Sequence, residues 1–152
     1  MRQTDGKKQF SVFLMMPLLV LSLLFFSFCR KEPDHVTVQH ILIAFKGSIP
    51  KDTVSRTQEE AEKLALEIFE RAKQGEEFDQ LVKDYSDDQY PGVYKMSNFN
   101  IEPETDQGEF SRSAMVKAFG DVSFGLEVGE IGLAEYSPDE SKYGWHIIKR
   151  IG

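Results

Sequence analysis

Two strand-like runs near opposite ends of the chain constrain its fold more than any other feature. VTVQHILIAF, from Val36 to Phe45, is apolar and β-branched and holds neither Gly nor Pro, as a β-strand requires. YGWHIIKRIG, from Tyr143 to Gly152, closes the chain with a second apolar run. The chain has only 3 histidines, and each run carries one, His40 and His146. Any fold for this sequence has to house an imidazole among branched aliphatics twice.

The residues between these runs read mostly as helix. Thr57 and Glu60 form a T-x-x-E capping box, which starts a helix. Ala61, Leu64, Ala65, Ile68 and Ala72 follow on one face, and Gly75 supplies the stop. A short second helix places Phe78, Leu81, Val82 and Tyr85 inward. The segment from Gln89 to Gln107 reads as a long irregular loop, and such loops tend to be functional. Ser111 is a candidate N-cap for a third helix carrying Met115, Phe119 and Val122. Gly129 and Gly132 flank a turn into a strand over 131–136, and SPDESKYG links it to the last strand. The order β, α, α, α, β, β with a mainly antiparallel sheet gives the α+β class.

The N-terminus carries a different message. Arg2, Lys7 and Lys8 precede an uncharged apolar run from Phe10 to Phe28, as in a secretory signal. The single cysteine, Cys29, stands where that run meets a charged linker. This arrangement resembles a bacterial lipoprotein signal, in which the cysteine takes the lipid. Phe28 stands where that class has a small residue, and an uncleaved anchor is the alternative. The expected organisation is a signal over 1–28, a lipid-attachment cysteine and linker over 29–35, and one domain over 36–152. One cysteine allows no internal disulfide, so the domain rests on its core. Beyond Phe28 there are 15 Lys+Arg against 24 Asp+Glu, a net charge of −9. That balance argues against nucleic acid, whose phosphates demand a basic surface.

The stretches QHILI, EEAEKLALEIFERAKQGEEFDQLVKDYSDD, GEFSRSAMVKAFGDVSFGLEVGEIG and YGWHIIK occur in series. Together they resemble the parvulin family of peptidyl-prolyl cis/trans isomerases from Thr37 to Ile151. The resemblance implies a four-stranded antiparallel sheet surrounded by about four helices, with the first and last strands adjacent at the centre. It implies that His40 and His146 share a hydrogen-bond network with Asp88. It places the proline pocket at Met115 and Phe119, with Gln107 where the family has a pocket leucine. Tyr143 takes the place of a hydrogen-bonding residue near the last histidine. It implies no metal and no cofactor. The expected substrates are unphosphorylated proline-containing exported polypeptides, met by a monomer held at the membrane of a bacterial cell envelope by lipid or anchor.

Two other readings stand beside this one. A non-catalytic parvulin-like chaperone would bind extended chains without turning prolines. Two histidines and a carboxylate, His40, His146 and Asp88, also have the residue types of an iron-binding facial triad. By default Met115 and Phe119 at i, i+4 would be plain core.

Overall fold

The computed structural model describes residues 31–152. The expected signal segment, Cys29 and Arg30 lie outside the described residues. Strands β1 (His35–Ile43), β2 (Val93–Ser97), β3 (Glu109–Ser111), β4 (Ile131–Ala134) and β5 (Trp145–Arg150) make a single sheet in the order β3-β2-β1-β5-β4. The helices are α1 (Gln58–Lys73), α2 (Phe78–Tyr85) and α3 (Lys117–Gly125). Among the described residues no helix is long and apolar enough to cross a membrane.

The sheet differs from the expectation in two respects. It has five strands, and it is mixed, because β2 and β3 run parallel. One added strand comes from the segment read as loop, where Val93–Ser97 pairs antiparallel with β1, from Gln39↔Val93 to His35↔Ser97; the other, Glu109–Ser111, follows that segment and pairs parallel with β2. Three α-helices, not about four, cover the sheet, with 3-10 turns at Thr105–Gln107 and Arg112–Ala114. Ser111 is a cap, but of the second of these turns, where its hydroxyl accepts from the Ser113 amide. Helix α3 begins only at Lys117.

Strand parity explains where the histidines go. In β1 alternate side chains face opposite sides of the sheet. Ile41 and Ile43 join Trp145 and Ile147 in the core under α1 and α2. Val36 and Val38 join Ile148, Met96, Phe119 and Phe124 in the core under α3. His40 has the parity of Val36 and Val38, and the register puts His40 opposite Ile148 and Leu42 opposite His146. Both imidazoles therefore lie on the α3 face, one diagonal step apart. The first and last strands are neighbours, as expected, with β1 at the centre.

Local chemistry fixes the elements around this centre. The capping box is complete: the Glu60 amide donates to the Thr57 hydroxyl, and the Thr57 amide donates to the Glu60 carboxylate. Replacing Thr57 by alanine removes one of those acceptors and is expected to cost about 1 kcal/mol, read from urea denaturation. Gly144, with φ of +137°, enters β5, and a Cβ there would come within 2.2 Å of the Ile43 carbonyl oxygen. No other residue lets the last strand approach β1 so closely at this φ.

Candidate active site

His40, in the central strand, is 3 % exposed and donates or accepts through both ring nitrogens. Its Nδ1 lies 3.2 Å from Nδ1 of His146, and its Nε2 lies 2.9 Å from Oδ2 of Asp88. The Tyr94 hydroxyl donates to the same Oδ2 at 2.7 Å. Four side chains from β1, β2, β5 and the segment after α2 thus form one unbroken polar chain.

Proton positions follow from the partners. Asp88 is held well below the usual carboxylate range, chiefly by the His40 bond, with Tyr94 and the Gln89 amide adding to it. An ionised carboxylate only accepts, so His40 donates from Nε2. Between His40 Nδ1 and His146 Nδ1 one nitrogen donates and the other accepts, according to tautomer. Nε2 of His146 is buried and without a hydrogen-bond partner among the described residues. Burial, reinforced by His40 nearby, lowers the His146 pKa to about 3 and keeps the ring neutral. Burial first, and then the Asp88 charge, push the Tyr94 phenol well above its ordinary value.

Asp88 is placed by its predecessors. Past the end of α2 the chain runs beside β1: the Asp87 amide donates to the Leu42 carbonyl at 2.8 Å. The Leu42 amide donates to the Ser86 hydroxyl at 3.1 Å, and the Ala44 amide to the Asp87 carboxylate at 2.8 Å. Arg56 pairs with the same Asp87 carboxylate and donates to the Ala44 carbonyl at 2.9 Å. Asp87 is thus a fastening for the segment, while Asp88 turns toward the histidines. Opposite, Gly92 lets β2 approach: the His40 amide donates to the Gly92 carbonyl at 2.9 Å.

Over this polar chain opens a cleft of about 620 Å³. Met115 and Phe119 line it, with Tyr94 as a further wall and Tyr143 at its rim. Phe119 is nearly buried and meets His40 edge-on with centroids 5.1 Å apart. Tyr94 meets His40 at 5.1 Å and Phe119 at 5.8 Å, both edge-on. Met115 ends the 3-10 turn, which Arg112 secures to α3 through Asp121 at 2.8 Å. The Arg112 guanidinium also pairs with Glu32 at 2.7 Å and lies over the rings of Phe99 and Phe124. Among the described residues no group of His, Cys, Asp and Glu is arranged to hold a metal ion.

The structure brings His40, Asp88, His146, Met115, Phe119 and Tyr143 to one cleft. It does not bring Gln107. That residue is exposed on the first 3-10 turn and borders a separate depression of about 230 Å³ with His35 and Lys95. Tyr94 lines the cleft and Gln107 does not. The neighbours of Tyr94 go elsewhere: Met96 is core, Phe99 covers Arg112, and Val93 faces solvent. Asp87 and Arg112 were not among the residues expected here, whereas Tyr94 stood with Val93, Met96 and Phe99 among the large apolar groups of a loop expected to fold over Met115 and Phe119. The alternation Val93-Tyr94-Lys95-Met96 is the signal that could have revealed Tyr94, since it marks a strand with one inward face.

Comparison with known proteins gives a consistent result. The family model described as "PPIC-type PPIASE domain" matches residues 21–151. The foldase protein PrsA 4 of Bacillus cereus is 36% identical over 124 residues, covering 82% of this chain and 39% of the relative. The chaperone SurA of Pseudomonas aeruginosa is 34% identical over 121 residues, covering 78% of this chain and 24% of the relative. The chain therefore spans well under half the length of these relatives. The solved structure of peptidyl-prolyl isomerase ESS1 from Candida albicans superposes with a TM-score of 0.56 at 26% identity, covering 80% of this chain and 65% of that one.

Proposed function

The chain belongs to the PPIC-type peptidyl-prolyl isomerase domain family, and we propose on that premise that it turns X–Pro bonds in unfolded exported polypeptides. One observation carries the reading: the chain His146–His40–Asp88–Tyr94 lies directly beneath an apolar cleft walled by Met115 and Phe119. The reaction needs little more. The barrier is the amide resonance of the X–Pro bond, about 18–20 kcal/mol, and no covalent bond is exchanged. A 10⁴-fold acceleration takes only about 5.5 kcal/mol of preferential binding to the twisted amide.

Each group has a part in this. Met115 and Phe119 grip the pyrrolidine ring while the preceding carbonyl swings. Asp88, ionised and reachable from the cleft, sets its charge near that carbonyl and disfavours the conjugated form. The two histidines hold Asp88 in place. With both His40 nitrogens engaged and His146 kept neutral, neither is poised to transfer a proton.

Substrates without phosphate fit the cleft lining best. Its one Lys or Arg is Lys51, which already donates to the Asp87 carbonyl. The buried Ala44 offers no charge for a dianion. Tethering through Cys29 on the outer side of a bacterial membrane belongs to the same reading, supported by the apolar run that ends there.

Exchange NMR on an unphosphorylated Ala-Pro peptide, with a phosphoserine-proline peptide beside it, tests the proposal. The full chain should accelerate exchange of the first and show no preference for the second. A second reading has the names of the relatives in its favour, one a foldase and one a chaperone. On that reading the chain would bind the peptide and suppress aggregation of an unfolded protein, yet leave the exchange rate at its uncatalysed value.

A further inference from the structure

We propose that the Tyr94 hydroxyl is a positioning group for Asp88, and that the Tyr94 ring is a separate wall of the cleft. The inference rests on the isomerase reading above and adds a residue to it. Tyr94 belongs to β2, in the segment whose sequence looked like loop. Its hydroxyl and His40 Nε2 both donate to Oδ2 of Asp88, at 2.7 Å and 2.9 Å. Two donors from different strands converging on one oxygen fix the carboxylate plane. Oδ1 is left as the oxygen without a side-chain donor among the described residues.

The surroundings give Asp88 no other strong partner. From β1 and β5 come His40 and, behind it, His146. From α3 and the turn before it come only apolar groups, Met115, Val116 and Phe119. Lys51 reaches the Asp87 carbonyl rather than Asp88, Arg56 is engaged by Asp87, and Tyr143 stands at the rim. Removing the Tyr94 hydroxyl therefore leaves His40 as the one side-chain donor to Asp88.

The ring acts through shape. It packs edge-on against Phe119 and His40 and lies 6.1 Å from the exposed Phe110 ring. A leucine at this position would leave part of that wall open. Ring and hydroxyl are therefore separable by substitution.

The test uses the full chain, Tyr94→Phe, Tyr94→Leu, Asp88→Asn and the double variant Tyr94→Phe/Asp88→Asn. Tyr94→Phe is expected to lower kcat for peptide exchange about 3–10-fold with KM within about 2-fold, on the scale of one hydrogen bond. Tyr94→Leu is expected to raise KM as well. In the Asp88→Asn background the Tyr94→Phe effect on kcat should vanish, because a group acting through Asp88 has nothing left to position. Equal effects of Tyr94→Phe in both backgrounds would overturn the proposal.

A second readout does not depend on catalysis. With ring-carbon-labelled tyrosine, Tyr94 is identified by the signal that Tyr94→Phe removes. It should ionise above the ordinary tyrosine value, and Asp88→Asn should bring its midpoint down. A Tyr94 midpoint indifferent to Asp88→Asn would show that the hydroxyl and carboxylate are not coupled. If the unmodified chain fails to accelerate exchange, the isomerase reading falls, and this titration alone decides the coupling.

Discussion

Acidification from pH 6.5 to 4.5 is expected to remove about 2–3 kcal/mol of folding stability through His146 alone. Its folded pKa is depressed to about 3 by burial, against an ordinary histidine value near 6.5. Below the unfolded value the unfolded chain takes up a proton that the folded one refuses. Stability then falls by about 1.4 kcal/mol for each pH unit down to the folded value.

The paired carboxylates and His35 act mainly outside this window. The paired carboxylates Glu32, Glu76, Asp79, Asp88 and Asp121 are all depressed. Their contributions are present above the unfolded carboxylate range and decline only beneath it, so they add slope mainly below the window. His35 has the opposite sign, its pKa raised by the bond to Glu109. Its contribution is complete below about 6.5 and is lost as pH rises through its folded value, so it is flat across the window. His146→Asn keeps an amide that can donate to or accept from His40 Nδ1, and it removes the titration. Urea denaturation at pH 6.5, 5.5 and 4.5 should show a steep dependence for the natural chain and a shallow one for the variant. Equal slopes would mean that His146 does not carry the effect.

The neutral buried histidine also shows what could be read from sequence. The family resemblance implied a shared network for the two histidines, and strand parity with the β1–β5 register places both on the α3 face. The long helix was legible because its cap, apolar face and stop are all local. Strand β2 was not. Pro91, Gly92 and Asn98 mark turns, and the alternation between them is only Val93 to Ser97. Such a short run becomes a strand because β1 offers it a partner, which is a tertiary cause. The likeness of TDQGEF to a family motif led to Gln107, while the side chain that lines the cleft is Tyr94 of β2. Asp87 gave no local signal either, because its partners, the Ala44 amide and Arg56, are over thirty positions away.

The apolar wall separates binding from stability in a way that substitution can read. Phe119 is 3 % exposed and packs against His40, Tyr94 and His146, so it is both core and cleft. Phe119→Ala is expected to cost about 3–5 kcal/mol, from lost burial and the cavity left behind. That is a large share of the 5–15 kcal/mol typical of a domain. Loss of activity in that variant would therefore say little about proline binding. Phe119→Leu keeps most of the volume, with an expected cost of about 1–2 kcal/mol. It removes the flat ring that faces the substrate, and kcat/KM for Ala-Pro exchange should fall at least about 10-fold in a folded sample, some 1.4 kcal/mol of transition-state binding. Met115 differs: it is only partly buried, at the end of a turn that Arg112 holds in place. Met115→Ala should change stability by about 1 kcal/mol or less and act mainly on KM. Thermal unfolding and exchange kinetics on the two variants decide the matter. Undiminished exchange in folded Phe119→Leu would remove Phe119 from the proline site and leave it as core alone.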